Sequence, residues 1–454
     1  MTKRLTKPRT GTIVALDIGT SKVCCLIARV DRPALESSSN VVAQPRIVGT
    51  GLQVSAGLKR GLIVDVDMAE TAIRKAVFAA EQMAGDTIKS VTVNLNGGQP
   101  ISKTVGVNVN IGGTQIDDTD LHRAFQQTLA IDTNGNGADS DHTNGHSNGH
   151  ANEHGAQNGH RVERELIHSI PVAYTVDGNR GIRDPRGIFG DHLSVNMHLV
   201  SVGSGVIRTL RNVVDRCHLQ IDDFVIAPYA SGLSTLVEDE TDLGVTVIDM
   251  GAGTTSIAVY SNGDAVFTDI VPVGGAHVTN DIARGLSTPI SHAERLKTLH
   301  GATMATPADE HELIDVLHVG EDEHNSPNHI PRSLLNGIIQ PRLEETFELV
   351  RERLTDSGFD PVAGRRVVLT GGASQLQGVR ELAAMVLDKQ IRMGRPLRLR
   401  GLPESMSGPA FATSAGLIAF AMENPSVVTE PTSIMKGESG GLGSRLGHWI
   451  HEHF

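Results

Sequence analysis

Short apolar runs alternate with amphipathic segments along most of the chain, and their lengths separate strands from helices. Residues 12–18 and 23–30 are apolar runs of strand length, joined by a short polar turn. Residues 67–84 repeat apolar side chains at helical spacing, which predicts a helix with one buried face. The same criteria predict further strands at 91–95, 104–111, 196–201, 245–250, 256–260 and 366–369, and further helices at 205–217, 335–354, 376–386 and 414–422. Such a mixture predicts an α/β fold.

One arrangement of elements occurs twice. A strand, a turn opened by aspartate and glycine, and a second strand occupy residues 12–30 and again residues 245–260. Repetition of a supersecondary unit predicts two related halves. A chain of 454 residues is long enough for two or three compact domains.

Two tracts lack the apolar pattern. Residues 132–160 consist almost wholly of Asn, Gly, His, Ser, Asp, Thr and Ala, and residues 423–440 are rich in Pro, Ser, Thr and Gly. Because neither tract has enough apolar surface to offset the entropy of ordering, we expect a disordered insertion and a flexible linker. We also expect disorder in residues 1–10, which are basic and polar.

Charge and composition narrow the function. The net charge of −12 argues against nucleic acid as a partner, since phosphate neutralisation requires Lys and Arg. Three cysteines, two of them adjacent, are typical of reduced thiols in a cytosolic protein. The sequence contains no run of about 18 apolar residues, so we expect no membrane-spanning helix.

Two turns carry the candidate chemistry. Asp17-Ile18-Gly19-Thr20-Ser21-Lys22 and Asp249-Met250-Gly251-Ala252-Gly253-Thr254-Thr255 each follow an apolar strand. Glycine lets successive N–H groups approach a phosphate, hydroxyls add donors, and an aspartate suits a hydrated Mg²⁺. Either turn alone would indicate an ordinary hairpin, but two matching turns favour a phosphate site.

A third segment extends this set. Residues 366–369 form a strand that runs into Thr370-Gly371-Gly372-Ala373 and then into a predicted helix. Glycines at this position would let an adenosine lie against the backbone, close to a helix N-terminus.

The order of the three motifs resembles that of the actin superfamily. Further segments resemble the FtsA family of bacterial cell-division proteins, at residues 61–65, 94–98, 271–275, 293–297 and 392–396. The resemblance implies an actin-like (ribonuclease H-like) α/β fold of two lobes, with Mg²⁺ and ATP in the cleft between them. The implied units are a first lobe (11–85 and 191–242), an inserted subdomain (86–190), a second lobe (243–275 and 362–422) with its own small subdomain (276–361), the linker (423–440) and an amphipathic helix (441–454).

The family pattern also implies roles for individual residues. Asp17 and Asp249 would orient Mg²⁺, the two turns would hold the phosphates, and Glu294 and Lys297 would line the ribose and base. The full expected nucleotide site comprises Asp17, Gly19, Thr20, Ser21, Lys22, Asp249, Gly251, Ala252, Gly253, Thr254, Thr255, Gly274, Gly275, Glu294, Lys297, Gly371, Gly372, Ala373 and Gln375. Residues 224–234, which resemble the family's interlobe connection, contain no carboxylate or carboxamide to activate water. We therefore expect slow or negligible ATP hydrolysis.

The C-terminal tip has a helical pattern of its own. Apolar residues fall on one stripe that includes the chain's single tryptophan, as in a helix lying in a membrane interface. The expected membrane-binding residues are Leu442, Arg445, Leu446, Trp449, Ile450 and Phe454. A terminal helix docked on its own domain is the alternative.

The resemblance implies a protein at the cytoplasmic face of the inner membrane, at the division septum. Its implied partners are FtsZ, further copies of itself, membrane lipids and later divisome proteins. The alternative is another ATP-dependent protein of the same fold, such as a cell-shape filament, a chaperone or a kinase. The residues after 422 are too few for a chaperone's substrate-binding domain.

Overall fold

The computed structural model describes residues 11–30, 45–135, 163–320, 328–397 and 399–423. The expected disordered N-terminus, the linker from residue 424 onward and the terminal helix lie outside these ranges, as does the predicted insertion from residue 136. The helix α2 (Asp118–Gly135) includes the first residues of that insertion, so regular structure continues further than predicted.

The strands are β1 (Gly11–Ile18), β2 (Lys22–Val30), β3 (Arg46–Val54), β4 (Leu58–Lys59), β5 (Leu62–Ile63), β6 (Ser90–Leu95), β7 (Ile101–Asn110), β8 (Arg164–Val176), β9 (Asn179–Ile182), β10 (His192–Gly203), β11 (Gln220–Ile226), β12 (Val245–Met250), β13 (Thr255–Ser261), β14 (Asp264–Val271), β15 (Leu313–Val316), β16 (Asn328–Pro331), β17 (Arg366–Thr370) and β18 (Gln390–Met393). The helices are α1 (Val66–Ala84), α2, α3 (Ser204–Arg216), α4 (Ala227–Thr235), α5 (Glu238–Leu243), α6 (Gly275–Gly285), α7 (Ile290–His300), α8 (Arg332–Ser357), α9 (Asp360–Ala363), α10 (Val379–Leu387) and α11 (Ala412–Glu423). Short 3₁₀ turns occupy Pro307–Glu310, Gly372–Gln375, Glu404–Met406 and Pro409–Phe411.

Two five-stranded sheets have the same topology. In the first lobe the strand order is β11-β6-β1-β2-β3, and in the second it is β14-β13-β12-β17-β18. Each begins with an antiparallel meander, β1-β2-β3 or β12-β13-β14, and continues with two parallel strands beside the first strand of that meander. This duplication confirms the two related halves and the two-lobed, ribonuclease H-like architecture expected from the sequence.

The inserted subdomain is a separate small sheet with order β7-β10-β8-β9, against which α2 packs. Its core is a cluster of its own, which includes Val107, Ile116 and Leu193. The predicted limits of 86–190 are wrong at both ends. Strand β6 lies between β1 and β11 in the first lobe, and β10 pairs along its length with β7 and β8, so the subdomain ends near Gly203.

Helix boundaries follow local chemistry. Asp65 caps α1 by accepting a hydrogen bond from the Met68 N–H, and Gly85 ends the helix in the left-handed region. The helix predicted over 376–386 begins later, at Val379. Gly378 precedes it with a φ of 81°, a conformation that a helix interior excludes.

The two lobes are joined by α4 and α11, which pack against each other. The contact is very close, since a Cβ atom added to Gly416 would lie 1.7 Å from the Ala230 carbonyl oxygen. Among the described helices, none is long and apolar enough to cross a lipid bilayer.

Candidate functional site

The two predicted turns have the same geometry. The Gly19 N–H donates to the Lys22 carbonyl at 2.9 Å, and the Gly251 N–H donates to the Thr254 carbonyl at 2.9 Å. Asp17 and Asp249 occupy equivalent positions, one residue before the end of β1 and of β12. The sheet duplication therefore extends to the candidate phosphate loops.

The loops face each other across the cleft. A Cβ atom at Gly253 would lie 2.3 Å from Thr20 Oγ1 and 3.0 Å from the Cα atom of Arg60. A side chain at position 253 would thus separate the two loops, which explains glycine there in physical terms.

Asp17 is held inside the first lobe. Its carboxylate is buried and accepts hydrogen bonds from Asn94 Nδ2 and from Ser414 Oγ, both at 2.7 Å. Asn94 also accepts the Ile18 N–H at 2.7 Å, so one amide fixes both the strand end and the carboxylate. The Lys22 ammonium lies 3.9 Å from Asp17 Oδ2 and donates to the Ala410 carbonyl.

Asp249 occupies the equivalent position in the second lobe. Its Oδ2 accepts hydrogen bonds from Ser231 Oγ and from Thr413 Oγ1, the latter at 2.8 Å. Burial raises the pKa of Asp249, the two hydroxyls oppose that rise, and the negative charge of Asp17 adds to it. The two lobes therefore bring two carboxylates close together in a buried cleft.

Adjacent residues at the start of α11 bind both aspartates. Thr413 donates to Asp249 in the second lobe, and Ser414 donates to Asp17 in the first. The first turn of α11 thus joins the two halves of the site, and we call this pair of hydroxyls the α11 clamp. Sequence reasoning missed the clamp, Asn94 and Ser231. The available signal was a polar side chain within an otherwise apolar buried element.

The predicted adenosine loop reaches the same place. Gly371 has a φ of 90°, and a Cβ atom there would lie 2.4 Å from Asp249 Oδ1. Gly372–Gln375 forms a 3₁₀ turn, in which Gln375 Nε2 donates to the Gly372 carbonyl at 3.4 Å. Ala373 faces Gly275, whose added Cβ would lie 3.0 Å from the Ala373 Cβ.

Gly274 and Gly275 support the second loop. The Gly275 and Ala276 N–H groups donate to the Gly251 and Ala252 carbonyls at 2.9 and 2.8 Å, and the Gly274 N–H donates to His277 Nδ1 at 3.1 Å. The N–H groups of the two predicted glycines are therefore already used within the protein. The Gly275 bond fixes the second loop, as does the hydroxyl of Thr255, which donates to the Val273 carbonyl at 2.8 Å.

Glu294 and Lys297 form an ion pair of 2.7 Å on α7. The Lys297 ammonium also donates to Thr279 Oγ1 at 2.9 Å and to the Gly275 carbonyl at 3.1 Å. Lys297 is 13% exposed and Glu294 is 51% exposed, so the pair is more than a solvated surface contact. It ties α7 to the start of α6, beside the adenosine loop.

The residues present fit a magnesium nucleotide. Two carboxylates and several hydroxyls supply the hard oxygen groups that a hydrated Mg²⁺ prefers. Glycine at positions 253 and 371 lets the backbone approach Thr20 and Asp249 closely, so the three loops lie together around the two carboxylates. In the described part of the chain no group of three or more His, Cys, Asp or Glu is placed to hold a metal ion directly.

Comparison with known proteins gives a consistent result. Residues 246–416 match the family model of cell division protein FtsA, and residues 150–201 match the model of the SHS2 domain inserted in FtsA. Cell division protein FtsA of Rhizobium meliloti is 40% identical over 459 residues, covering 100% of this chain and 97% of that protein. Cell division protein FtsA of Escherichia coli K12 is 30% identical over 452 residues, covering 97% and 98%.

One solved structure supports the fold alone. A PilM–PilN type IV pilus biogenesis complex matches with a TM-score of 0.60 at 15% identity, covering 91% of this chain and 99% of that one. With its duplicated sheets, paired aspartate turns, inserted subdomain and full-length relatives, the chain has an actin-like fold and belongs to the FtsA family of cell-division proteins.

Proposed function

We propose that this protein binds Mg²⁺ and ATP between its lobes and links FtsZ to the inner membrane at the division septum. The observation that supports nucleotide binding best is the pair of matched aspartate turns joined by the α11 clamp. Bound Mg²⁺ would supply charge neutralisation for the phosphates. The protein's own residues then bind and orient the nucleotide.

Each part of the cleft has a distinct role in this proposal. Asp17 and Asp249 orient the hydrated ion, while the backbones of residues 19–22 and 251–255 hold the phosphates. The adenosine lies against the Gly371–Ala373 backbone and the Glu294–Lys297 pair. Because the α11 clamp bridges both aspartates, nucleotide binding sets the relation between the lobes and acts as a conformational and polymerisation switch.

The cleft binds nucleotide more readily than it hydrolyses it. Along α4, Ser231 donates to Asp249, and Ser234 donates to the Ala412 carbonyl at 2.7 Å, so both hydroxyls have partners. A serine hydroxyl is also a poor base at neutral pH.

We expect steady ATP turnover below about 1 s⁻¹, the low end for ordinary enzymes. Phosphate release in excess MgATP measures this rate. Faster turnover that is lost in Asp249→Ala would show that the cleft hydrolyses ATP efficiently, and it would contradict the proposal that ATP acts mainly as a switch.

Membrane attachment is assigned to the C-terminal tip, which follows α11 and lies outside the described residues. Its apolar stripe, Leu442, Leu446, Trp449, Ile450 and Phe454, with Arg445 beside it, has the pattern of an in-plane anchor. Histidines at positions 448, 451 and 453, the first two on its polar face, become cationic as pH falls, so attraction to anionic lipid should increase.

Deletion of residues 441–454 is expected to abolish flotation of the protein with vesicles that contain anionic lipid. FtsZ added to the mixture should float only with the intact chain, since the truncated protein keeps its body but loses its anchor. A second variant replaces Trp449 and Phe454 by alanine. It removes apolar area without shortening the tail, and so separates these two effects of the deletion. Unchanged flotation of the truncated protein would exclude the anchor.

A further inference from the structure

A small hairpin lies at the meeting point of the two phosphate loops. Strands β4 and β5 are joined by the two-residue turn Arg60-Gly61, with φ values of 51° and 74°. Positive φ at both turn residues is the geometry of a tight type I′ hairpin. Arginine at such a position is unusual, because a residue with a Cβ atom rarely adopts positive φ.

The hairpin is hydrogen-bonded to the first loop and lies close to the second. The Gly61 N–H donates to Thr20 Oγ1 at 3.1 Å, and a Cβ on Gly253 would lie 3.0 Å from the Arg60 Cα. Behind the turn, a Cβ on Gly61 would lie 2.3 Å from the Asn96 carbonyl oxygen, so the backbone has little room to move. The turn therefore presents Arg60 at a fixed place between the loops.

Arg60 is an available cation at that place. Its side chain is exposed, and it makes no ion pair with any residue in the ranges that the structure describes. Its charge acts on the second lobe as well: burial, and then the positive charge of Arg60, lower the pKa of His277 in the first turn of α6. Lys22, the cation of the first loop, is already bound to the Ala410 carbonyl.

The order of contacts along the second loop gives the direction of a bound nucleotide. Gly251 hydrogen-bonds to Gly275, which faces Ala373 of the adenosine loop. Two residues further on, Gly253 lies against Thr20 and Arg60. The phosphate chain would run along this loop from the adenosine side to the hairpin side, so its last phosphate would lie nearest Arg60.

We propose that Arg60 binds the terminal phosphate of a nucleoside triphosphate and makes the cleft discriminate triphosphate from diphosphate. The guanidinium offers several N–H donors in a planar array that matches phosphate oxygens, and such charge-assisted bonds are among the strongest in proteins. Because the hairpin also holds Thr20 and contacts Gly253, engagement of Arg60 draws both loops onto the nucleotide. This inference rests on the proposed nucleotide site.

The test measures dissociation constants for MgATP and MgADP by calorimetry on the full-length chain and on three variants. Arg60→Asn removes the charge and retains a residue that tolerates positive φ. Arg60→Lys keeps the charge as a point cation, and Lys59→Gln removes the neighbouring exposed cation as a matched control. Thermal unfolding of each variant without nucleotide shows whether the fold is intact.

We expect Arg60→Asn to weaken MgATP binding by about 10-fold or more, the loss of one good charge-assisted contact, and to change MgADP binding by less than about 2-fold. Arg60→Lys should fall between Arg60→Asn and the unaltered chain, and Lys59→Gln should match the unaltered chain. If the ratio of MgATP to MgADP affinity were unchanged in a folded Arg60→Asn protein, the role of Arg60 would be overturned, while the proposed nucleotide site would stand. If the unaltered chain binds neither nucleotide, the proposed site fails as well.

Discussion

Replacement of Asp249 by asparagine is expected to weaken Mg²⁺-dependent ATP binding severely and, at the same time, to stabilise the nucleotide-free protein. The first effect follows from charge, because a hydrated Mg²⁺ prefers carboxylate oxygen and an amide offers it no net charge. Even changes to residues beside a metal ligand typically weaken metal binding by about 10- to 100-fold, so a loss of about 100-fold or more is expected here.

The second effect follows from the surroundings of the carboxylate. Asp249 is 8% exposed and close to Asp17, and its pKa is raised above the ordinary value of 3.8. The folded protein therefore binds this proton more tightly than the unfolded chain does. The resulting stabilisation is complete below the unfolded pKa and is lost as pH rises through the folded pKa. Above its folded pKa the ionised Asp249 thus lowers stability when no cation is bound.

Asparagine keeps an oxygen that can accept from Ser231 and Thr413 but carries no charge to be buried. At a pH above the folded pKa of Asp249, the free energy of unfolding of the apo protein should increase by about 1–3 kcal/mol, the usual penalty of an imperfectly satisfied buried group. Its decline with rising pH from the acidic range should also become shallower than in the unaltered protein. Urea unfolding in EDTA over a pH series measures both quantities.

Asp388→Asn is the matched control, because that carboxylate is 95% exposed and should change neither affinity nor stability appreciably. MgATP affinity that survives in Asp249→Asn would exclude this aspartate from the ion's shell. An apo variant less stable than the unaltered chain would instead mean that the ionised carboxylate is an essential acceptor for its two hydroxyl donors.

The parts of the site that sequence predicted are those encoded locally. Each phosphate turn lies within a few residues of its strand, so the order of Asp, Gly and Thr is visible in one segment. The duplication of the strand-turn-strand unit followed from repetition of that segment, whereas the third strand of each meander, β3 or β14, was not predicted. The positive φ of Gly371 also has a local cause, because consecutive glycines in a turn permit positive φ.

What sequence did not predict depends on contacts between distant segments. Ser414 reaches Asp17 across 397 positions, and Asn94 reaches it across 77. Strand β6 was assigned to the wrong sheet, because its apolar pattern fits any buried strand and parallel pairing leaves no local turn signal. The limits of the inserted subdomain were wrong for the same reason.

A second large effect is expected at the crossing of α4 and α11. Gly416→Ala should lower the free energy of unfolding by about 3 kcal/mol or more, at or beyond the upper end for overpacking, because the obstacle is backbone. The new Cβ would lie 1.7 Å from the Ala230 carbonyl oxygen and 2.3 Å from its carbon. Retreat of α4 is blocked on its other side, where a Cβ at Gly232 would already lie 2.2 Å from the Tyr260 hydroxyl.

Gly337→Ala in α8 is the same chemical change with the opposite expectation. Gly337 is exposed, and an added Cβ would meet no atom within 4 Å. Alanine is the better helix former by about 1 kcal/mol, so this variant should equal or exceed the unaltered chain in stability. Urea unfolding of both variants at matched concentration gives the comparison.

The crossing also connects stability to nucleotide binding. Thr413 and Ser414 begin the helix that Gly416 presses against α4, so any separation of the two helices displaces the α11 clamp from both aspartates. Gly416→Ala protein that remains folded at low temperature should therefore bind MgATP more weakly, while Gly337→Ala should bind it normally. If Gly416→Ala and Gly337→Ala changed stability and MgATP affinity to the same extent, the close contact between α4 and α11 would not be what holds the two lobes together.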